Sequence, residues 1–564
     1  MSKILNKWAV FCLLTIIVFA VFGRTIWFDY VQLDEGILLV NNHFFISKIA
    51  NFLDVFKHDI NYPSAVAPYY RPIFVLSFML NSQISSSSLS YHLGNILLHI
   101  LATFLVFGLL RELGIKRITA VLFSALFAIH PAVTPVVVWV PGRIEAILTV
   151  FTLLSGILFI KFLKTRQRMH LVGFLLSFTI ALFTKEVAIS LLPVLFFYYL
   201  IYKKEKGSEL PVIMLLGLAG IIITWFFVRR SILVGVQITD MSFFQMLAVL
   251  WSNAPASVLY LGKTTLPLNL TVLPVLGSST FIYGFATLAF IVLYWFFSRT
   301  KILSLSTLGL LWFFAFLVPS SLVSYNSSEK MVFFEHRLYL PMVGIFIFFA
   351  SLRGQVPFLR QKRYLTPFFA VAVIVLFSAL AFNYSNVYKD KISFWQKAVT
   401  DSPQLAEAHN GLATAYLMDG KLKEAEAEFA ATLEIDPIKK RVHLLLGLYY
   451  LDQGQYDKAK EEFEKEIQID SNQFVAYHGL GRISAQNNDL KEAETYFLKT
   501  LELNDSYVLA RQDLAVLYFS QNKHPQAIAQ LKELLKVQRP EAMHPQILKI
   551  LEIYAKQTGI ELDF

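Results

Sequence analysis

Two adjacent carboxylates, Asp34 and Glu35, stand in the stretch VQLDEGILLVNNH, just after the first apolar segment of the chain. The first 386 residues hold only 13 Asp and Glu, so a side-by-side pair at that edge needs a reason. A carboxylate held there can accept a proton from an attacking hydroxyl as a general base. Cations recur at comparable places: Arg71 before Pro72, His130 before Pro131, Arg143 with Glu145, Lys185 with Glu186, and the run Glu335-His336-Arg337. Arg and Lys hold phosphate through charge-assisted hydrogen bonds. One carboxylate base beside several cations suits transfer of a sugar from a lipid-linked phosphate to a hydroxyl. Asp34 is the expected base, and Glu35 is expected to orient a cation such as Arg71, Arg143 or Lys185. The expected phosphate ligands are Arg71, Arg143, Lys185, His130 and Arg337, with Glu145, Glu186, Glu335 and His336 supporting them. Each group also has a plainer reading. His130 can cap a helix end, Arg143 can snorkel to lipid phosphate, and the paired charges can be solvated loops.

The elements that must position these groups are apolar. Of 564 residues 56% are hydrophobic, 51 of them Phe, and the mean hydropathy is +0.54. That composition points to an integral membrane protein. The N-terminal run MSKILNKWAVFCLLTIIVFAVFG reads as a retained signal anchor. Further apolar runs lie at about 92–110, 118–131, 142–160, 170–184, 187–202, 210–229, 281–298, 303–319, 338–352 and 364–384, about eleven spans in all. Placing the N-terminus in the cytoplasm puts 18 Lys and Arg against 3 Asp and Glu in the short inner segments, as the positive-inside rule requires. Residues 1–386 carry a net charge of +16 and residues 387–564 a net of −6. The basic excess therefore follows from topology, and no nucleic-acid partner is expected. On this topology every suspect charge falls at the outer level, and charges near the hydrocarbon boundary are costly unless used.

Residues 387–564 repeat with a period of 34. Gly420 and Gly454 recur as Asn488 and Asn522, Ala425 as Ala459, Ala493 and Ala527, and Leu412 as Leu446, Leu480 and Leu514. Phe429, Phe463 and Phe497 are followed by Leu531. A helix–turn–helix unit of that period is the tetratricopeptide pattern. Trp395, Ala398 and Pro403 sit one period upstream and read as a half-repeat joined to the last span. The chain from about 540 reads as a cap. Stacked helix pairs form a groove suited to an extended peptide, with His409, His443, Tyr477 and Arg511 as its expected liners. The expected domains are 1–386, a membrane domain, and 387–564, an extracytoplasmic repeat domain.

The order of motifs resembles the transmembrane, tetratricopeptide-repeat-containing O-mannosyltransferases and their bacterial relatives, within the GT-C glycosyltransferase superfamily. The stretches that carry the resemblance are LDEGILLVNN, YYRPIFVLSFMLN, YHLGNILLHI, FAIHPAVTPVVVWVPGRIEAI, FTKEVAI, YLGKTTLPLNL and EHRLYLPMVG, with the repeats directly after them. The resemblance implies an all-α fold, a GT-C-like polytopic bundle followed by a tetratricopeptide solenoid. It also implies an inverting transferase using a polyprenyl-phosphate sugar, mannose or another hexose, with protein Ser or Thr as acceptor. The family's acidic pair is usually Asp-Asp, whereas this chain has Asp-Glu, the form of the related protein O-mannosyltransferases. That departure and the shorter repeat array leave the sugar and the acceptor open.

Two other classes compete. A transporter would place its charges near the bilayer midplane rather than at one face. An inert membrane-anchored scaffold would need no polar cluster. No P-loop, GxSxG, HExxH or dinucleotide fingerprint is present, in keeping with a lipid donor and no soluble cofactor; a divalent cation stays open. The single cysteine, Cys12, allows no intrachain disulfide and no zinc spacing. The lack of disulfides and of an ER-retention tail points to a multi-pass protein of a bacterial inner membrane, or of the ER membrane in a eukaryote.

Overall fold

The computed structural model describes residues 7–62, 69–206, 209–233, 242–275, 281–298, 302–322, 333–352 and 365–537, and they are built from α-helices joined by short 3₁₀ turns. Each of the eleven expected apolar segments is a helix. Among the described residues seven are long and apolar enough to cross a membrane: Trp8–Trp27, Ser88–Glu112, Val140–Thr165, Glu186–Lys204, Val212–Ile232, Leu305–Leu322 and Phe368–Tyr388. An eighth is broken, Arg117–Ile129 and Pro131–Val138 meeting at 52°. The break falls at His130-Pro131, where the proline ring removes a donor and bars the preceding residue from helical geometry. Three more, Arg168–Thr184, Ile282–Phe297 and Pro341–Leu352, are shorter apolar helices. Phe226, Phe227, Phe296, Phe297, Phe368 and Phe369 are exposed on these helices. Water would not tolerate so much contiguous apolar surface, and lipid does. The chain is a membrane protein.

The inner helices pack through small residues. Leu305–Leu317 and Pro341–Leu352 approach until a Cβ on Gly344 would stand 2.4 Å from the carbonyl oxygen of Gly309. Between membrane helices such contact replaces the hydrophobic drive that lipid removes. Ser88–Glu112 packs on Arg143–Thr165, which packs on Arg168–Thr184.

Two elements had no apolar run to announce them. The stretch between the apolar runs 210–229 and 281–298 contains the helix Phe243–Thr265. Asn253, Pro255 and Lys263 interrupt its hydropathy, and its start is marked instead by a capping box between Ser242 and Gln245. The stretch between the first two long apolar helices contains the helix Pro72–Ser82, with proline at its first turn.

The chain divides into two compact units, residues 1–408 and 409–564. The helix Lys391–Asp401, the half-repeat, belongs to the first unit, where Trp395 and Ala398 are buried and Ser402 Oγ donates to the carbonyl of Leu273 at 2.8 Å. In the second unit the helix pairs recur with the sequence period. Gly420, Gly454, Asn488 and Asn522 all take positive φ, from 58° to 75°, just past a helix end. That left-handed C-terminal position explains why Gly and Asn exchange there. Ala425, Ala459, Ala493 and Ala527 are fully buried, and Phe463 lies so close to Gly447 and Gly479 that a Cβ on either would collide with its ring. The expected cap beyond 540 lies outside the described residues.

Candidate active site

The segment from Phe28 to Val40 is held at both ends. Asp29 N donates to the carbonyl of Lys389 at 3.0 Å, tying the loop to the end of the last apolar helix. Gln32 adopts φ 61°, which turns the chain sharply. A π-helical turn, Gly36–Val40, then follows, with Leu38 N donating to Asp34 O at 3.0 Å. The two adjacent carboxylates face opposite ways. Glu35 is 1% exposed, and its Oε2 accepts from Leu33 N at 3.1 Å and Asp34 N at 3.3 Å. Burial pushes its pKa up to about 7. Asp34 is exposed, and among the described residues its carboxylate takes no hydrogen bond or ion pair. The partly desolvated recess around Asp34 raises its pKa above the usual aspartate value. Glu35 does not reach Arg71, Arg143 or Lys185, as the sequence reading expected; it accepts from its own loop's backbone and thereby aims its neighbour outward.

The cations divide into two sets. Arg143, expected as a phosphate ligand, is 2% exposed and is used up inside the bundle. Its Nε donates to Asn95 Oδ1 at 2.9 Å, Nη1 to the carbonyl of Ser77 at 3.3 Å, and Nη2 to Asn81 Oδ1 at 3.2 Å and the carbonyl of Tyr91 at 2.7 Å. The rings of Phe78 and Tyr91 lie 4.7 and 5.4 Å from its guanidinium carbon. It pins Pro72–Ser82 to Ser88–Glu112. His130 is also no phosphate ligand. Fully buried, it receives Ala132 N on Nδ1 and meets the carbonyl of Thr264 through Nε2 at 3.1 Å, the helix-end cap that was the plainer reading.

The second set gathers around His336. Arg71 Nη2 pairs with Glu186 Oε1 at 3.0 Å, and Lys185 pairs with Glu145. Arg337 donates to the carbonyl of Ser320 at 3.4 Å and stands over the ring of Phe334. His336 stacks on Phe334 and lies against Trp139. Burial first, and then the charges of Arg337, Lys185 and Arg71, keep the His336 pKa well below its usual value, so the ring is neutral. Arg71, Lys185 and Arg337 thus all lie near enough to the ring to act on its charge. Leu33, beside Asp34, lines one recess with Trp139, Glu335 and His336. The structure thus brings Arg71, Lys185 and Arg337, with Glu145 and Glu186, around His336, links the Asp34 loop to them through Leu33 on the wall of the recess that His336 lines, and sets Arg143 and His130 apart as structural groups.

Lys263 went unnoticed as a site residue. It is 6% exposed and donates to Glu335 Oε1 at 2.6 Å, while Glu335 also takes Thr271 N at 2.9 Å and the Tyr384 hydroxyl at 3.2 Å. A lone lysine within an otherwise apolar helix was the signal available for it. No three His, Cys, Asp or Glu gather to hold a metal among the described residues.

In the repeats, His409 pairs with Glu428 at 2.6 Å, His443 with Glu462 at 2.7 Å, and Arg511 Nη1 with Gln530 Oε1 at 3.2 Å; the Tyr477 ring meets that of Tyr496. All four expected groove residues are half-buried and bound to the second helix of their own repeat, at the same register.

Comparisons with known proteins follow this division. Tetratricopeptide-repeat family models match residues 394–437, 440–473 and 475–507. Protein O-mannosyl-transferase Tmtc1 of Drosophila melanogaster is 37% identical over 124 residues, 22% of this chain and 14% of that protein. Protein O-mannosyl-transferase F38B6.6 of Caenorhabditis elegans is 22% identical over 391 residues, 65% of this chain and 54% of that protein. The chain therefore spans about half the length of the second relative and a smaller part of the first. A solved structure of Pseudomonas aeruginosa pilF is 21% identical, covering 31% of this chain and 77% of that one, with a TM-score of 0.28. By sequence the chain is similar to the TMTC protein O-mannosyl-transferases, and it carries tetratricopeptide repeats.

Proposed function

We propose that the chain is a membrane glycosyltransferase that moves a hexose, mannose on the names of its relatives, from a polyprenyl-phosphate donor to a protein Ser or Thr hydroxyl at the extracytoplasmic face. One observation carries this reading. Asp34 is exposed and its carboxylate unpaired among the described residues, while Arg71, Lys185 and Lys263 are each held by a carboxylate. A lone carboxylate on a braced loop is arranged to take a proton. The acceptor oxygen would attack the anomeric carbon as Asp34 removes the hydroxyl proton. The bond from that carbon to the phosphate oxygen breaks, its electron pair leaves with polyprenyl phosphate, and single displacement inverts the anomeric centre.

The leaving phosphate needs positive charge. Arg71, Lys185 and Arg337 face Glu145 and Glu186, a surplus of one cation with His336 neutral. Arg337 is the member with no carboxylate partner among the described residues, so it is the one able to turn to a ligand. A divalent cation is a further counter-charge that the phosphate can bring with it. The repeats, of a kind that binds extended peptides, would present the protein acceptor.

Arg337→Gln keeps the length and polarity of the side chain and removes its charge. It is expected to weaken binding of a labelled polyprenyl-phosphate hexose about tenfold or more, with the thermal midpoint near wild type. Unchanged donor affinity in the folded variant would remove Arg337 from the phosphate site.

A further inference from the structure

The first and last long apolar helices, Trp8–Trp27 and Phe368–Tyr388, enclose an open groove of about 370 Å³ towards the end from which the Asp34 loop emerges. Ile17, Ala20 and Val21 form one wall, and Ile374, Ala379 and Phe382 the other. Ala20 and Ala379, with no side chain beyond Cβ, leave the space between their larger neighbours.

The groove also carries polar groups. Arg24 stands three residues beyond Val21, its guanidinium carbon 3.5 Å from the centroid of the Phe382 ring. Its Nη2 donates to the Phe382 carbonyl and to Ser385 Oγ, the latter at 3.0 Å. Among the described residues no carboxylate pairs with Arg24, and Nη1 donates to nothing. Of its unpaired nitrogens only Nε is sealed from the surroundings, so Nη1 is open to them. Ser378 Oγ and the Asn383 carboxamide, both on the groove wall, make no hydrogen bond among the described residues either. Both can be reached, for Ser378 is half-buried and Asn383 exposed. Polar groups that face hydrocarbon without partners are costly, and three of them on one groove fit a ligand that brings the partners.

Spacing selects that ligand. Ser378 lies one helical turn from Phe382, whose carbonyl Arg24 holds, and so about 6 Å deeper in the membrane. A glycerophospholipid carries its phosphate at headgroup level, ester carbonyls a short way beneath, and acyl chains below those. Phosphate on Arg24 and Asn383, an ester carbonyl on Ser378 and a chain between Ile17, Val21 and Ile374 satisfy every group. A polyprenyl phosphate has no ester to meet Ser378. A zwitterionic headgroup brings its own ammonium, which competes with Arg24 for the phosphate, so a net negative headgroup fits best.

We propose that this groove binds one anionic glycerophospholipid of the bilayer, held through Arg24, Asn383 and Ser378. The lipid joins the two helices that lead to the brace of the Asp34 loop, where Asp29 N meets the Lys389 carbonyl. It is a structural clamp on that loop, and its binding does not depend on sugar transfer.

The probe is phosphatidylglycerol titrated into the delipidated full-length protein in detergent. Bound lipid is counted by native mass spectrometry, and the thermal midpoint is followed alongside. One saturable phosphatidylglycerol per chain is expected, with a raised midpoint. Arg24→Gln should weaken binding about tenfold and Ser378→Ala several-fold. Ala379→Phe fills the groove from an exposed position and should abolish binding, with the lipid-free midpoint near wild type. Phosphatidylethanolamine should bind about tenfold more weakly, and sugar-free polyprenyl phosphate should not displace the bound lipid. No saturable binding by the wild type, wild-type binding by Ala379→Phe and Arg24→Gln, or equal affinity for phosphatidylethanolamine overturns the site. Displacement by polyprenyl phosphate overturns it too, by giving the groove to the donor lipid.

Discussion

Asp34→Asn lowers sugar transfer by about 10²–10⁴-fold, the usual loss when a general base is removed, and leaves donor affinity within a few-fold. The substitution keeps the shape of the side chain. It breaks no side-chain hydrogen bond among the described residues, because the bracing of the loop runs through Glu35 and the backbone. On the proposed reading the phosphate would be met by Arg71, Lys185 and Arg337, which the change does not touch. A pH profile adds a second readout. The base must be ionised, so transfer falls as pH drops through the pKa of Asp34, which is raised above the usual aspartate value. Glu35 loses its own proton at about 7 and then places a second negative charge beside Asp34, which broadens that acid limb upward. In Asp34→Asn the limb should vanish from the residual rate. Wild-type transfer by a well-folded Asp34→Asn protein would remove Asp34 as the base.

Arg143→Ala unfolds or severely destabilises the membrane unit, by about 3–5 kcal/mol. The guanidinium makes four hydrogen bonds, to Asn95, Ser77, Asn81 and Tyr91, in a place where water cannot replace it. Removing it strands two amide oxygens and two carbonyls and leaves a void between Phe78 and Tyr91. Arg143→Lys recovers little, since an ammonium cannot present the planar fork those acceptors need. The measurement is thermal unfolding in detergent, beside donor binding. A stable Arg143→Ala protein that had lost only donor affinity would return Arg143 to the phosphate site.

These two residues also show how far the sequence could be read. The apolar segments and the 34-residue period were legible because each is a repeated local signal. Every apolar run became a helix, and Gly420, Gly454, Asn488 and Asn522 share one left-handed turn. Asp34 and Glu35 stood out because carboxylates are scarce in the first 386 residues. Their opposite orientations did not, since they depend on a positive φ at Gln32 and on where two backbone N–H groups point. Arg143 and His130 looked like ligands because an ionisable group at a helix end is costly unless it is used. Both are used, but by the fold: the partners of Arg143 come from residues 48 to 66 positions away, and that of His130 Nε2 from 134. Lys263 and the helix Phe243–Thr265 were hidden for the converse reason, polar residues diluting an apolar run.

The most direct test is transfer by the purified wild-type chain in sealed vesicles, with a labelled polyprenyl-phosphate hexose in the membrane and a Ser/Thr peptide outside. The account predicts that label moves to the peptide, with inverted anomeric configuration and release of polyprenyl phosphate in equal amount, and that Asp34→Asn slows the movement by about 10²–10⁴-fold. A lipid that stays intact, or that only changes leaflet with its hexose still attached, would contradict it.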